Sequence, residues 1–495
     1  MKSNKLILAL LFLCATHKNL AQCFTQIAAS DYFNIALKPD GTLWGQGRAL
    51  PTFTCYAEPD SPNVLLQIDP ATDWAKINTG NHYMLAIKTN GTLWGAGRNS
   101  TGFMANGEYG ATGVINSNWN LLQIGTATDW KKACGEASIS KVAFGLKNNG
   151  TLWSWGTNYD NGCLCKNNFL DNYTITQTGT DSDWADVETA GSITLALKTN
   201  GTIWACGTNS QLSNPNIPNN NNKTPYFVQL YSMPTNGDWM PELKNDWRFI
   251  AGNTQGTVVA INNSNKLFTS GYFATGRGSI GNSRMFEQVN TDTDWKTAAC
   301  GSQTVYAIKN NNALWAWGKN DFGQLGDGTT IDRLFPVQIG TDTNWEKISP
   351  GFQHVIATKT DGSVWAWGNA KNHQIPNNVT PDYSGPDFYS NYYTTPQQIA
   401  VAGCTLSSES FSLKTNQLRL APNPATTETE LFYSLEANAT DVAVYNMEGK
   451  LVAKINILEK GNHCTIDTRR FSAGTYIVIL ECNNKKMAEQ KLIIK

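Results

Sequence analysis

The chain has 495 residues, a formal net charge of −1 and only 16% charged residues. This balance excludes a chain that binds nucleic acid or an anionic membrane mainly through charge of one sign. The length allows one large repeat array plus a further module. The 17 Trp and 42 Gly suit many short strands joined by polar turns.

The N-terminus has the features of a secretory signal peptide, predicted over residues 1–22. Lys2 and Lys5 precede the apolar run Leu6–Ala15, which is too short to span a bilayer. A small-residue cleavage site then places the mature N-terminus at Cys23. The letters "LAQC" also resemble a lipoprotein box, although Gln22 stands where such a box needs a small residue. No later segment is long and apolar enough to be predicted as a membrane span.

Export places the cysteines in a compartment where disulfides form. Cys23 and Cys404 flank the repeat region and are predicted to pair, as are Cys464 and Cys482 in the C-terminal module. Three further cysteines are predicted to be free, buried thiols: Cys134, Cys206 and Cys300. The CxC spacing of Asn161–Cys165 lacks a second pair, so zinc is not expected there.

The phrase "AIKTNGTLWGAG" (Ala86–Gly97) recurs in near copies along the chain. Seven anchors mark the copies at a spacing of about fifty residues: Trp44, Trp94, Trp153, Trp204, Phe268, Trp315 and Trp365. A second phrase, typified by "ATDWKKACGE", precedes six of the anchors with its own Trp: Trp74, Trp130, Trp184, Trp247, Trp295 and Trp345.

Each copy predicts a β-hairpin. Extended runs flank Asn90-Gly91, and both turn residues tolerate positive φ. About fifty residues fit a four-stranded antiparallel sheet, which must stack on its neighbours to bury both faces. Lysines border the turn and are predicted to be solvated, with their stems packed on neighbours: Lys38, Lys88, Lys147, Lys198, Lys309 and Lys359.

The segments "WGKNDFGQLGDGT" (Trp317–Thr329) and "GFQHVIATKTDGSVWAWG" (Gly351–Gly368) resemble the regulator of chromosome condensation repeat. The resemblance implies a seven-bladed β-propeller over residues 23–404. The first and last repeats look incomplete, because no "TDW" phrase precedes Tyr32. The segment Pro396–Gly403 is therefore expected to pair with early strands and close the ring.

Two insertions interrupt the repeat spacing. Residues Thr208–Trp239 are rich in Asn and Pro and are predicted to form a mobile loop. Residues His373–Pro396 carry aromatic side chains predicted either to contact a partner or to pack the last blade against the C-terminal module: Tyr383, Phe388, Tyr389, Tyr392 and Tyr393.

After a linker over residues 405–417, alternating strands with Asn and Gly turns predict a small immunoglobulin-like β-sandwich over residues 418–495. The segment resembles the type A sorting domain of type IX secretion (Por system) cargo in Bacteroidota. The motif residues that carry the resemblance are Pro422, Asn423, Pro424, Gly449, Gly474, Tyr476 and the terminal "KLIIK". It implies an interaction with the type IX machinery, passage across the outer membrane, usual removal of the tail, and surface anchoring or release.

No catalytic residue, cofactor-binding residue or metal ligand is predicted, because no metalloprotease, phosphate-loop or nucleophile-elbow motif occurs. His354 occupies a position where other repeats place unrelated side chains, so it is predicted to be a packing residue. The acidic phrase "TDTDW" (Thr291–Trp295) is predicted to cap turns, with calcium as the alternative.

The sequence therefore predicts an all-β, secreted or cell-surface binding propeller without catalysis, whose partner is an extracellular protein or glycan. The first alternative is a polysaccharide-active enzyme or lectin with its site at the central opening, where loops converge. The second alternative is an adhesion or gliding protein.

Overall fold

The computed structural model describes two compact units, residues 1–406 and 407–495. The described residues are 23–31, 33–47, 65–80, 83–99, 102–107, 117–136, 141–158, 161–208, 223–233, 242–253, 255–271, 275–278, 283–370, 375, 392–399, 418–421, 425, 428–433, 441–447, 450–456, 463–482 and 485–494. These residues form strands and turns. They include no helix that could cross a membrane.

Seven sheets, here called blades 1 to 7, make up the first unit within the described residues. Blade 1 contains β1 (Gln26–Ala29), β2 (Phe33–Leu37), β3 (Leu43–Gly47) and β4 (Leu66–Asp69). Blade 2 contains β5 (Trp74–Gly80), β6 (Tyr83–Lys88), β7 (Leu93–Arg98) and β8 (Ser117–Gln123). Blade 3 contains β9 (Trp130–Glu136), β10 (Val142–Lys147), β11 (Leu152–Gly156) and β12 (Asn172–Gln177). Blade 4 contains β13 (Trp184–Ala190), β14 (Ile193–Lys198), β15 (Ile203–Thr208) and β16 (Lys223–Gln229).

Blade 5 is the largest sheet, because two short strands extend its outer edge. It contains β17 (Tyr231–Ser232), β18 (Glu242–Leu243), β19 (Trp247–Gly252), β20 (Val258–Asn262), β21 (Leu267–Gly271) and β22 (Ser283–Gln288). Blade 6 contains β23 (Trp295–Cys300), β24 (Thr304–Lys309), β25 (Leu314–Gly318) and β26 (Arg333–Gln338). Blade 7 contains β27 (Trp345–Pro350), β28 (His354–Lys359), β29 (Val364–Asn369) and β30 (Tyr392–Ile399).

The first insertion contributes to two blades, so the prediction of a mobile loop is wrong for its described part. Lys223–Gln229 forms the outer strand of blade 4, and Tyr231–Ser232 extends blade 5 by a parallel pairing with β22. The Asn/Pro-rich residues 209–222 lie outside the described residues.

The hairpin turns follow the sequence signal. Gly91 has φ +78°, and a Cβ at this position would overlap the backbone carbonyl of Thr128. The Trp130 amide donates to the Gly91 carbonyl at 3.2 Å, so the turn of blade 2 fixes the first residue of blade 3. Glycine is required here both for the left-handed backbone and for this close approach.

The seven blades close into a ring. The innermost strands of successive blades contact one another in the order β1, β5, β9, β13, β19, β23 and β27, and β27 returns to β1. The fold is therefore all-β and has the arrangement of a propeller.

Ring closure differs from the sequence expectation. Tyr392–Ile399 pairs with β29 of its own blade, and β1 supplies the innermost strand of blade 1, so within the described residues no late strand pairs with an early one. Residues 400–403 of the predicted closing segment lie outside the described residues. The register places Phe24 where the other blades have the Trp of the "TDW" phrase. Blade 1 is thus complete in strands although its first phrase is unrecognisable.

The hydrophobic core consists of clusters shared by neighbouring blades. In one of them, Tyr83 and Leu85 of blade 2 pack with Trp130 and Trp155 of blade 3, all at most 3% exposed. Burying a large aromatic side chain contributes roughly 2–3 kcal/mol. Stacking therefore supplies the stability that one blade lacks.

A disulfide joins Cys165 to Cys206, so the prediction that Cys206 is a free thiol is wrong. Cys206 occupies the position of Trp155 and Trp367, whose Nε1 atoms each donate to the loop of the preceding blade at 2.8 Å. In blade 4 the disulfide makes this loop attachment instead. Cys134 and Cys300 are free thiols, as predicted.

The second unit contains two sheets that share one core. One sheet contains β31 (Leu418–Ala421), β32 (Glu428–Tyr433) and β35 (His463–Asp467). The other contains β33 (Asp441–Asn446), β34 (Leu451–Asn456), β36 (Gly474–Cys482) and β37 (Lys485–Ile494). Leu431 and Ile466 of the first sheet pack in one cluster with Val444, Val478 and Leu492 of the second, as in a β-sandwich.

Candidate functional site

The axis of the propeller contains a cavity of about 370 Å³ lined by all seven innermost strands. Seven residues at equivalent register form a layer around it: Ala28, Asn78, Cys134, Glu188, Ala251, Ala299 and Ser349. Glu188 is the one charged member of this layer. Lys132 and Asp186, two positions earlier on their strands, also line the cavity.

Lys132, Asp186 and Glu188 form a charged cluster between blades 3 and 4. The Lys132 ammonium lies 2.6 Å from Oδ1 of Asp186 and 2.5 Å from Oε1 of Glu188. The three side chains keep between 26% and 30% of their surface exposed. Two carboxylates thus share one lysine beside an open cavity.

Burial and these contacts shift the pKa values of the cluster. Burial opposes protonation of Lys132, but Glu188 and Asp186 outweigh it and raise the lysine pKa. Burial also raises the pKa of Glu188, and Asp186 adds to this while Lys132 opposes it. The lysine therefore stays charged, and Glu188 is a weaker acid than an ordinary glutamate.

Two thiols line the same cavity. Burial raises the pKa of Cys134 and of Cys300, and Glu188 adds to both shifts. Cys134 donates to the Val187 carbonyl at 3.4 Å. Since the thiolate is the reactive form, both cysteines are poor nucleophiles.

The cavity wall is chemically uneven. Asn78, Lys132 and Glu188 provide polar groups from blades 2 to 4, while blades 5 and 6 present Phe249 and Ala299. Such a wall suits a ligand with one polar and one apolar face.

The recurring lysines have a different role from the predicted one. In five blades the lysine side chain is only 5% to 16% exposed and pairs with the acidic phrase, so these lysines are not solvated turn flanks. Lys309 is typical: Nζ lies 4.8 Å from the ring centroids of both Trp295 and Trp315 and 2.7 Å from Asp292. Burial lowers the pKa of Lys309, but the hydrogen bonds that its ammonium donates to Asp292 and Asp294 outweigh this and raise it.

Blade 5 departs from this arrangement of two tryptophans and a lysine. Here Asn262 replaces the lysine and Phe268 replaces the second Trp. The Asn262 amide donates to Asp246 at 2.9 Å, and Trp247 packs edge-on against Phe268. A lysine from another position, Lys244, places its Nζ 5.7 Å from the centroid of the Phe268 ring.

The acidic phrase therefore has a partner that the sequence pattern did not indicate. Asp292 and Asp294 both contact Lys309. Among the described residues, no group of three His, Cys, Asp or Glu side chains is arranged to hold a metal ion.

His354 is a packing residue at the junction of blades 7 and 1. Its Nε2 lies 2.8 Å from Oδ1 of Asn34, and its buried Nδ1 has no hydrogen-bond partner among the described residues. Burial lowers the pKa of His354 to about 3, so the ring is neutral in the folded protein.

The predicted contact residues are only partly described. Tyr392 begins β30 and is 37% exposed, whereas Tyr393 packs against the core. Tyr383, Phe388 and Tyr389 lie outside the described residues. Whether this segment binds a partner stays a prediction.

Two of the sorting-motif residues lie in the described part of the chain, and the other four do not. Gly474 begins β36, and the Tyr476 hydroxyl donates to the Ser472 carbonyl at 2.9 Å. Pro422, Asn423, Pro424 and Gly449 lie outside the described residues.

The two predicted disulfides, Cys23 with Cys404 and Cys464 with Cys482, stay predictions. Cys23 and Cys464 are buried in their own units. Cys404 and the side chain of Cys482 lie outside the described part of the chain.

The residues that line the axial cavity are not recognisable from the repeat pattern alone. Lys132 and Cys134 occur in "DWKKACG", and Asp186 and Glu188 occur at the same two positions of "DWADVETAG". Alignment of the copies on Trp would have shown opposite charges in consecutive repeats, which is the signal that brings these side chains together.

Family comparisons agree with both units. Models of the regulator of chromosome condensation (RCC1) repeat match residues 311–358 and 295–324. The model of the secretion system C-terminal sorting domain matches residues 419–495.

Individual proteins support the fold of the first unit. The ultraviolet-B receptor UVR8 of Arabidopsis thaliana is 24% identical over 191 residues, which cover 37% of this chain and 40% of the receptor. The crystal structure of human WBSCR16 is similar with a TM-score of 0.58 and 18% identity, covering 68% of this chain and 87% of that one. The structure of Kap60 bound to yeast RCC1 (Prp20) is similar with a TM-score of 0.58 and 14% identity. The similarity covers 81% of this chain and 92% of that one.

Proposed function

We propose that this chain, which joins RCC1 repeats to a type IX secretion sorting domain, is an exported propeller that binds an extracellular protein or glycan without catalysis. The observation that carries the proposal is the presence of both segments in one chain, the repeats at residues 295–358 and the sorting domain at 419–495. The sorting domain implies export and contact with the type IX machinery. Release from the cell and retention at its surface are the two fates compatible with such a tail.

The use of the repeated polar residues supports a binding scaffold. In five blades the recurring lysine pairs with an aspartate of its own blade, as Lys88 with Asp73 at 2.9 Å. These charges are therefore paired within each blade, and the variable loops are available to contact a partner. The similar proteins are a receptor and an RCC1 solved in complex with Kap60, which are binding or regulatory proteins.

The proposed contact segment is the aromatic insertion around Tyr383, Phe388, Tyr389, Tyr392 and Tyr393. Tyrosine on a loop offers rigid contact area with little conformational entropy to lose. The exposed ring of Tyr392 supports this role, whereas Tyr393 contributes to the core.

The test is capture from extracellular protein and glycan fractions by the immobilised full chain, compared with a Tyr389→Ala/Tyr392→Ala variant. We expect at least tenfold weaker capture at an unchanged melting temperature. The matched control is Tyr226→Ala, which removes a tyrosine that is 47% exposed on the outer strand of blade 4. Equal capture by both variants would contradict the assignment of the segment, and no saturable capture by the unaltered chain would contradict the binding function.

A second candidate is a polysaccharide-active enzyme with its site in the channel. It is favoured by Asp186 and Glu188, two carboxylates beside the central cavity, one of which has a raised pKa. Glycoside hydrolysis uses such a pair. Release of sugars from a glycan panel, abolished by Glu188→Gln, would establish this function, and the proposal of a non-catalytic propeller would then be wrong.

A further inference from the structure

One sheet of the second unit carries apolar residues on both of its faces. It is the sheet formed by β33, β34, β36 and β37, and Val444 of β33 and Val478 of β36 belong to the core. Because side chains alternate along a strand, and residues opposite each other share a face, the positions next to these core residues point outward. Five large apolar residues at outward positions are here called the outer apolar face: Tyr445, Leu451, Ile477, Ile479 and Ile493.

The other sheet of the unit has the ordinary pattern. In β35, Cys464 and Ile466 are core residues, whereas Thr465 and Asp467 are exposed. Such alternation is typical of an antiparallel sheet with one solvated face, while strands that are apolar on both faces are usually covered on both sides. The outer apolar face therefore has the composition of a surface that meets a partner.

The outer apolar face is accessible. Leu451 is 46% exposed and Ile493 is 36% exposed. The other three members, Tyr445, Ile477 and Ile479, are partly exposed. The register places Tyr445 opposite Leu451 on one neighbouring strand and opposite Ile477 on the other. These side chains are therefore neighbours across three adjacent strands, and one apolar surface can contact them together.

Charged residues border the outer apolar face. Lys491 is exposed and lies opposite Ile477 in the register. Lys454 of β34 is also exposed, and its Nζ lies 3.6 Å from Oδ2 of Asp441. An apolar centre with a polar rim is the usual composition of a protein–protein interface. A sheet face of this kind fits a protein partner and not a small molecule.

The class of partner follows from the unit that carries this face. Residues 419–495, which include all five members of the face, match the secretion system C-terminal sorting domain. A sorting domain has to be recognised by the export machinery through its own surface. The outer apolar face is a part of that surface whose composition does not suit permanent contact with water.

We propose that the outer apolar face is the surface on which a protein of the type IX machinery docks, through an apolar surface of its own. Leu451, Tyr445 and Ile477 form the centre of the contact, and Lys454 and Lys491 lie at its rim. This inference rests on the proposed function, because it names the surface for the contact with the export machinery proposed there.

The test follows the full chain in a host with a type IX system and in a matched strain that lacks the system. The amounts in the periplasm, at the cell surface and in the medium are measured. The variants are Leu451→Thr and the double variant Leu451→Thr/Ile477→Thr, because threonine suits a strand and removes apolar contact area. We expect each variant to accumulate at least fivefold more than the unaltered chain in the periplasm, with an unchanged melting temperature after purification.

Two controls should be exported like the unaltered chain. Leu243→Thr makes the same change at a leucine that is 50% exposed in blade 5. Thr465→Val alters the outward side of the other sheet of the sorting domain. Retention of the controls together with the test variants would overturn the proposal, because the effect would not belong to the outer apolar face.

The remaining outcomes separate this inference from the proposed function. Normal export of both face variants would overturn the inference and leave export by the type IX system in place. A lower melting temperature of Leu451→Thr, or a dimer of the unaltered chain that this variant dissociates, would assign the face to a contact within the chain or to a second copy, and would also overturn it. Export of the unaltered chain by the strain without the type IX system would refute the proposed export route itself.

Discussion

The ammonium of Lys132 lies 2.5 Å from Oε1 of Glu188 and joins the innermost strands of blades 3 and 4 across the channel wall. The same nitrogen contacts Asp186. Its removal leaves two carboxylates close together with no cation between them. Loss of one partner of a buried ion pair is strongly destabilising, and the water-facing part of this cluster reduces the effect.

We therefore expect Lys132→Met to lower the free energy of unfolding by about 2 kcal/mol at pH 7, measured by chemical denaturation. The deficit should shrink at pH 4.5, because Glu188 then takes up a proton and the repulsion ends. Lys347→Met, at the equivalent position of blade 7, is the control and should change stability by less than about 1 kcal/mol. A pH-independent deficit would show that lost packing, and not charge, is responsible.

Blade 6 lacks a hydrogen bond that other blades have. In blade 2 the Trp94 Nε1 donates to the Thr92 hydroxyl at 2.9 Å. In blade 6 Ala313 stands at the position of Thr92, and the buried Trp315 Nε1 has no acceptor in the part of the chain that the structure describes. We expect Ala313→Thr to raise stability by about 1 kcal/mol by supplying the acceptor. Thr92→Ala should lower it by a similar amount. Thermal unfolding of both variants checks the pair, and a lower midpoint for Ala313→Thr would mean that the hydroxyl does not fit.

The Cys165–Cys206 disulfide occupies the place of a tryptophan contact, and a tryptophan introduced there should restore that contact. Cys165→Ala/Cys206→Ala should lose about 3–4 kcal/mol, the value for a closed loop of this length. Cys165→Gly/Cys206→Trp should recover part of the loss. Glycine suits position 165, where φ is +54°, and the indole can again donate to the loop carbonyl. A reducing agent should lower the melting temperature of the unaltered chain but not that of the Gly/Trp variant. A Gly/Trp variant no more stable than the double alanine variant would refute the equivalence.

His354 should make the junction of blades 7 and 1 sensitive to acid. Its pKa is about 3 in the folded protein and near the ordinary 6.5 when unfolded, so the unfolded state binds the extra proton between these values. The contribution of neutral His354 is complete above pH 6.5 and is lost as the pH falls toward 3, at up to about 1.4 kcal/mol per pH unit. His354→Gln, which can still bond Asn34, should flatten this dependence in denaturation series at several pH values. Parallel curves for the two proteins would contradict a titrating role for His354.

The repeat, the hairpins and the ring were predictable because glycine turns and buried tryptophans leave a strict spacing. Gly91 and its counterparts can be replaced by few residues, so the signal survives in most copies. The channel was not predictable by the same means. Its wall is built from a repeat position that holds Asn78, Cys134 and Glu188 in blades 2 to 4 but alanine in blades 1, 5 and 6, so no residue type marks the position.

Two errors have a common cause. Cys206 was predicted to be a free thiol that replaces a tryptophan, although its position in the repeat is the one that attaches a loop to the next blade. Phe24 was overlooked because the phrase around it has no Asp or Trp, although its register is that of Trp74. In both cases the position in the repeat keeps its structural role, although the residue type differs from that of the other blades.

Every blade is made from consecutive residues, and the seam between blades 7 and 1 depends on side chains. Ser349 accepts from the Ala29 amide at 2.9 Å and His354 meets Asn34, with no shared strand. The order in which the blades follow one another along the chain is therefore not needed to close the ring. A circularly permuted gene that starts at another inter-blade loop should give the same hydrogen-bonded sheets, with the order of synthesis of the blades as the one thing altered.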